Sequence, residues 1–173
     1  CALPICPTML SVIDTESTEQ PGVTVLDQTA PKGQYTDQWH TDHSFASEPP
    51  LGTLLRAVRL PPVGGDTCFA SMYAAYEALS PSMQRFLEGL TAVHSTQLVT
   101  GSTDLERVFR RDSQRPMEPS VHPVVRTHPE TGRNLLYVCG NFTTRIVELA
   151  EGESACLLRF LFEHINSPQF HCR

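Results

Sequence analysis

The sequence has no CxxC pair, although it holds six cysteines, at positions 1, 6, 68, 139, 156 and 172. The thiolates of a structural zinc site sit closer together along a chain than these do, so a Cys-based zinc centre is not expected. The thiols read instead as free, partly buried groups of a reducing, cytoplasmic compartment. No run reaches the roughly 18 apolar residues of a membrane span, and no basic stretch followed by an apolar one marks an export signal. A membrane partner is therefore not expected. Positive charge is also scarce: 13 Lys and Arg stand against 19 Asp and Glu, a net charge of −6. That balance leaves no electrostatic footprint for a nucleic acid. Internal repeats, low-complexity segments and domain linkers are all missing.

What remains is ordinary globular composition, 40% hydrophobic and 18% charged, over 173 residues, enough for one domain with its own core. The chain opens on Cys1 rather than Met, as expected of a chain that begins partway in. Fourteen prolines punctuate many short segments. Short apolar or alternating runs predict strands over 9–14, 23–27, 39–45, 53–60, 66–70, 91–99, 121–127 and 134–139. Helices are predicted over 72–79, 82–90 and 153–166. The second opens on Ser80-Pro81, an N-cap followed by proline at the first helical position. The third repeats Leu157, Leu158, Leu161, Phe162 and Ile165 at helical spacing. Residues 100–119 are polar and read as a mobile loop or lid, and 170–173 as the start of a strand. Many short strands with a few helices predict a mainly β fold, a jelly roll decorated by helices.

The tripeptide His40-Thr41-Asp42 carries the most specific chemistry. On a strand, residues i and i+2 project to the same side, so an imidazole and a carboxylate would be delivered together. Two imidazoles and a carboxylate on one face of an octahedral iron(II) leave the other positions open for substrates. On the tripeptide alone two readings stay open, a metal-binding pair or ordinary surface residues.

The surrounding motifs narrow that choice. Trp39-His-Thr-Asp-His-Ser-Phe45, Pro49-Pro50, Pro62-Val-Gly-Gly-Asp-Thr67 and Ala74-Ala-Tyr-Glu-Ala-Leu-Ser80 occur in that order. They are followed by His122-Pro-Val-Val-Arg-Thr-His-Pro129 and Phe142-Thr-Thr-Arg-Ile146. From about residue 21 to Arg173 this string resembles the TauD/TfdA family of iron(II)- and 2-oxoglutarate-dependent dioxygenases. The resemblance implies a double-stranded β-helix, a form of jelly roll. It implies an enzyme that couples decarboxylation of 2-oxoglutarate to hydroxylation of a small organic anion by dioxygen, giving succinate and carbon dioxide. The substrate classes implied are sulfonates, sulfate esters and aryloxy or other carboxylic acids. A homo-oligomer is implied as well.

Carried over residue by residue, His40 and Asp42 match the first two iron ligands, and hence the catalytic metal site. Thr67 matches the threonine that hydrogen-bonds a carboxylate of 2-oxoglutarate, and Phe142 an aromatic residue of the substrate pocket. Thr36 stands where the family's taurine-degrading member places an Asn against its substrate. The resemblance puts the last iron-binding His, and the Arg that pairs with 2-oxoglutarate, some tens of residues past the point matching Arg173. The chain therefore reads as a single, incomplete domain whose C-terminal strands are missing. His43, His94, His122, His128, His164 and His171 are expected to be structural or surface residues, as are Arg126 and Arg145. With two ligands, the 173-residue chain is expected to hold iron weakly and to be inactive by itself. The alternative is a truncated, non-catalytic jelly-roll module that binds or scaffolds.

Overall fold

The computed structural model describes residues 38–50, 52–57, 62–64, 66–96 and 118–173. The strands expected over 9–14 and 23–27, the loop before residue 38, Thr36 and almost all of the 100–119 segment lie outside those residues.

The described chain alternates short strands and helices. Strand β1 (Phe69–Ala70) leads into α1 (Met72–Glu77) and α2 (Pro81–Glu88). Ser71 and Ser80 cap the two helices, their hydroxyls accepting from the backbone N–H of Ala74 and Met83. Each bond satisfies a donor that the helix start leaves open, and Pro81 takes the first-turn position that needs no N–H. Strand β2 (Thr91–His94) follows, then β3 (Ser120–Pro123), β4 (Val125–Thr127), β5 (Asn134–Leu136) and β6 (Thr143–Ile146). The β4–β5 connection turns at Gly132, whose φ of 67° is left-handed and favours glycine. Helix α3 (Glu151–Ile165) is entered at Ala150, whose N–H donates to the Glu153 carboxylate. Glu151 and Glu153 lie in its first turn, where negative charge meets the positive end of the helix dipole. A 3-10 turn (Pro168–Phe170) ends the run, and β7 (His171–Cys172) pairs with β1.

Three small antiparallel sheets result, ordered β1-β7, β3-β2-β6 and β4-β5. No closed barrel is present among the described residues; the strands and helices are mixed. The core lies between the helices and the sheets. Leu87 of α2, Ala92 of β2, Ile146 of β6 and Leu161 of α3 are fully buried there, with Leu158, Ile165, Val124 and Leu136 beside them. On α3 the predicted apolar stripe holds, with Leu158, Leu161 and Ile165 innermost.

Two expected strands do not form. Residues 39–45 run as extended chain into a turn. His43 sits at φ 56° and Ala46 N–H bonds back to the His43 carbonyl at 2.9 Å. A left-handed residue cannot continue a strand, and the turn buries Ser44 and Phe45 together. The described part of the 53–60 segment, residues 53–57, carries no regular structure and is exposed, Leu54 almost completely.

Beneath this turn, the buried Tyr137 hydroxyl and Arg126 Nη1 have no hydrogen-bond partner of good geometry among the described residues. The Arg126 guanidinium lies 4.6 Å from the Tyr137 ring centre, and burial pushes the phenol pKa up to about 12. An unpaired buried hydroxyl costs about 1–3 kcal/mol. Tyr137→Phe keeps the ring and its cation–π contact and removes that cost. The expected result is a melting temperature about 2–4 °C higher, corresponding to roughly 1 kcal/mol. A lower melting temperature in calorimetry would show that the hydroxyl is satisfied.

Candidate metal centre

His40 and Asp42 face each other across the mouth of the turn. His40 Nε2 lies 3.4 Å from Asp42 Oδ1, with the two side chains 23% and 42% exposed. His40 Nδ1 lies 2.9 Å from the Gln38 carbonyl. A carbonyl only accepts, so Nδ1 carries a hydrogen in either charge state; Nε2 donates to Asp42 when the ring is protonated and holds the lone pair a metal would take when it is neutral. A backbone carbonyl commonly accepts from the far nitrogen of a metal-binding histidine and fixes its ring. Asp42 Oδ2 accepts a hydrogen bond of 2.8 Å from the Thr53 hydroxyl. Asp42 raises the His40 pKa, chiefly through their mutual hydrogen bond, and His40 lowers that of Asp42 by the same bond.

The turn is anchored from below by His94 and His122, expected to be structural or surface residues, and by Ser44, Phe45 and Cys139, to which sequence reading gave no such role. Ser44 Oγ lies 3.1 Å from His94 Nδ1 of β2 and 3.8 Å from the buried Cys139 thiol. His122 Nε2 of β3 donates to the Ala46 carbonyl at 2.9 Å. Phe45 packs edge-on against Phe142 at 5.0 Å between ring centres. Burial lowers the His94 pKa to about 3, with the neighbouring His122 adding to the shift. It lowers that of His122 as well. Both rings are therefore neutral, hydrogen-bonded supports at physiological pH. Their only sequence signal is that each falls at an inward position of an alternating run, and that signal does not distinguish a brace from any other core residue.

The structure brings three of the expected site residues together: His40, Asp42 and Phe142, whose ring lies edge-on to His40 at 6.3 Å. Thr67 is exposed on the approach to β1, and no hydrogen bond joins it to His40 or Asp42. Gln38, which holds the His40 ring, also lines a cleft of about 220 Å³ with Trp39, Gly140 and Ile165. His40, Asp42 and Phe142 do not line it.

Two donor atoms, each about 2.1 Å from a divalent ion, lie about 3 Å apart when they occupy neighbouring coordination positions. The 3.4 Å between Nε2 and Oδ1 is close to that, so the pair fits two sites of such an ion. A third donor is not at hand: no group of three or more His, Cys, Asp or Glu suited to a metal occurs among the described residues.

Comparison with known proteins gives the family of the chain. Residues 8–173 match the family described as taurine catabolism dioxygenase TauD, TfdA family. The alpha-ketoglutarate-dependent sulfonate dioxygenase of Saccharomyces cerevisiae is 37% identical over 129 residues, which cover 75% of this chain and 31% of that protein. The alpha-ketoglutarate-dependent 2,4-dichlorophenoxyacetate dioxygenase of Cupriavidus pinatubonensis is 38% identical over 143 residues, 80% of this chain and 48% of that protein. The crystal structure of a taurine dioxygenase from Burkholderia xenovorans superposes with a TM-score of 0.65 at 38% identity, covering 78% of this chain and 43% of that one. The chain belongs to the TauD/TfdA family. It spans about a third to a half of the length of these curated relatives.

Proposed function

We propose that this chain carries two of the iron ligands of a 2-oxoglutarate-dependent dioxygenase acting on a small organic anion. The observation that carries this reading is the convergence of His40 Nε2 and Asp42 Oδ1, with the far imidazole nitrogen tied to the Gln38 carbonyl. The names of the relatives support the same class: a sulfonate dioxygenase, an aryloxyacetate dioxygenase and an alkylsulfatase.

When bound, iron(II) would supply the open positions at which 2-oxoglutarate and dioxygen react, with succinate, carbon dioxide and a hydroxylated substrate as products. His40 contributes a neutral nitrogen and Asp42 a charge that offsets the cation. The ring of Phe142 stands edge-on to His40 and would close one side of the site. Thr67 is proposed to donate its hydroxyl to a 2-oxoglutarate carboxylate, and Thr36 to face the substrate. Sulfonates, sulfate esters and aryloxy acids are the proposed substrate classes. With two donors among the described residues, the 173-residue chain by itself is proposed to hold iron weakly and to turn over little.

The test is oxygen uptake and succinate formation by the protein as its own cells make it, supplied with Fe(II), 2-oxoglutarate and a panel of an alkylsulfonate, an alkyl sulfate ester and an aryloxyacetate. The expected result is one succinate per oxygen consumed, lost in His40→Ala. Oxygen uptake without 2-oxoglutarate consumption, or none under any of these conditions, would overturn the assignment and leave a binding or scaffold role.

A further inference from the structure

Asp42 offers two oxygens to two different partners. Oδ1 faces the His40 nitrogen at 3.4 Å, while Oδ2 is held by Thr53 at 2.8 Å. Thr53 lies eleven residues further on, past Pro49 and Pro50, in exposed chain without regular structure. The contact is therefore not a by-product of core packing, because neither partner is buried. A hydroxyl that donates to a carboxylate makes a short, charge-assisted bond, and this one fixes the rotation of the carboxylate plane. Freed from it, a side chain 42% exposed has water as an alternative partner for both oxygens. The rotamer that aims Oδ1 at Nε2 then loses its advantage.

We propose that Thr53 is a positioning residue for the metal site: its hydroxyl holds Asp42 Oδ2 so that Oδ1 alone is presented, beside His40, to a divalent cation. This inference rests on the metal-site reading above and adds to it the group that makes Asp42 a one-oxygen ligand. Outer-shell partners of this kind commonly change metal affinity about 10–100-fold when removed.

The experiment uses the protein as its own cells make it and Mn(II), with free Mn(II) followed by its electron paramagnetic resonance signal. Four proteins are compared: wild type, Thr53→Val, Thr53→Ser and Asp42→Ala. Thr53→Val preserves the shape of the side chain and removes the donor, so Mn(II) affinity is expected to fall about 10–100-fold with the melting temperature unchanged. Thr53→Ser retains the hydroxyl and is expected to retain most of the affinity. A merely structural Thr53 would shift the melting temperature and leave the two substitutions alike in Mn(II) binding. Binding lost in Asp42→Ala but intact in Thr53→Val, or lost equally in Thr53→Val and Thr53→Ser, would overturn this inference alone. Wild-type Mn(II) binding that is absent, or indifferent to Asp42→Ala, would overturn the metal site and the role of Thr53 with it.

Discussion

Asp42→Ala is expected to weaken Mn(II) binding at least about 100-fold, beyond the range that loss of an outer-shell partner produces. The substitution leaves one neutral imidazole, which cannot chelate by itself, and it removes the negative charge facing His40 Nε2. The fold should survive it: the Asp42 side chain is 42% exposed, and losing its exposed bond to Thr53 is expected to cost about 1 kcal/mol or less. An exposed carboxylate elsewhere serves as control: Asp66, paired with Arg173 at 3.3 Å, should tolerate alanine without effect on the metal. Isothermal titration of Mn(II) into the two variants separates them. Equal affinities would mean that the cation, if it binds, sits somewhere other than between residues 40 and 42.

Acid should destabilise the protein through His94. The ring is buried, with a pKa lowered to about 3 chiefly by loss of solvation, against an ordinary value near 6.5. As pH falls below about 6.5 the unfolded chain takes up a proton that the folded one refuses. Stability is therefore full above that value and is lost as pH drops toward 3, at about 1.4 kcal/mol per pH unit. Between pH 7 and pH 5 this single group removes about 2 kcal/mol, or roughly 4–8 °C of melting temperature in a domain of this size. His122, shifted in the same direction by burial, adds to the loss. In His94→Gln the melting temperature should vary much less over the same interval, whatever its value at pH 7. Parallel pH curves for the two proteins would assign the acid sensitivity to other groups. Because His94 holds Ser44 of the turn, the metal site should fail before the rest of the fold does.

Local signals in the chain were legible where one short stretch decides the outcome. Ser80-Pro81 sets the start of α2 as expected, and Gly132 takes the left-handed turn between β4 and β5. The Leu158, Leu161 and Ile165 stripe places α3 on the core. The closeness of His40 and Asp42 was legible in the sequence, but their conformation was not. An alternating His-Thr-Asp-His-Ser reads as a strand, and nothing in the letters says that His43 bends backward at φ 56°. The pairing survived the misreading because the turn also sets residues 40 and 42 side by side. Thr53 was illegible for a different reason: its bond to Asp42 spans a proline turn in chain that alternation assigned to a strand. The braces His94 and His122 belong to contacts 50 and 76 residues long. No local pattern records a partner at that distance.

The openness of the turn's mouth has a consequence for kinetics. With His40 and Asp42 partly in contact with solvent, a cation taken up at the proposed site would reach both donors without any of the described elements parting. Capture and release then proceed at the pace at which water leaves and re-enters the ion's own hydration shell. The supply of metal in the surrounding medium, rather than the breathing of the protein, governs how much of it is loaded.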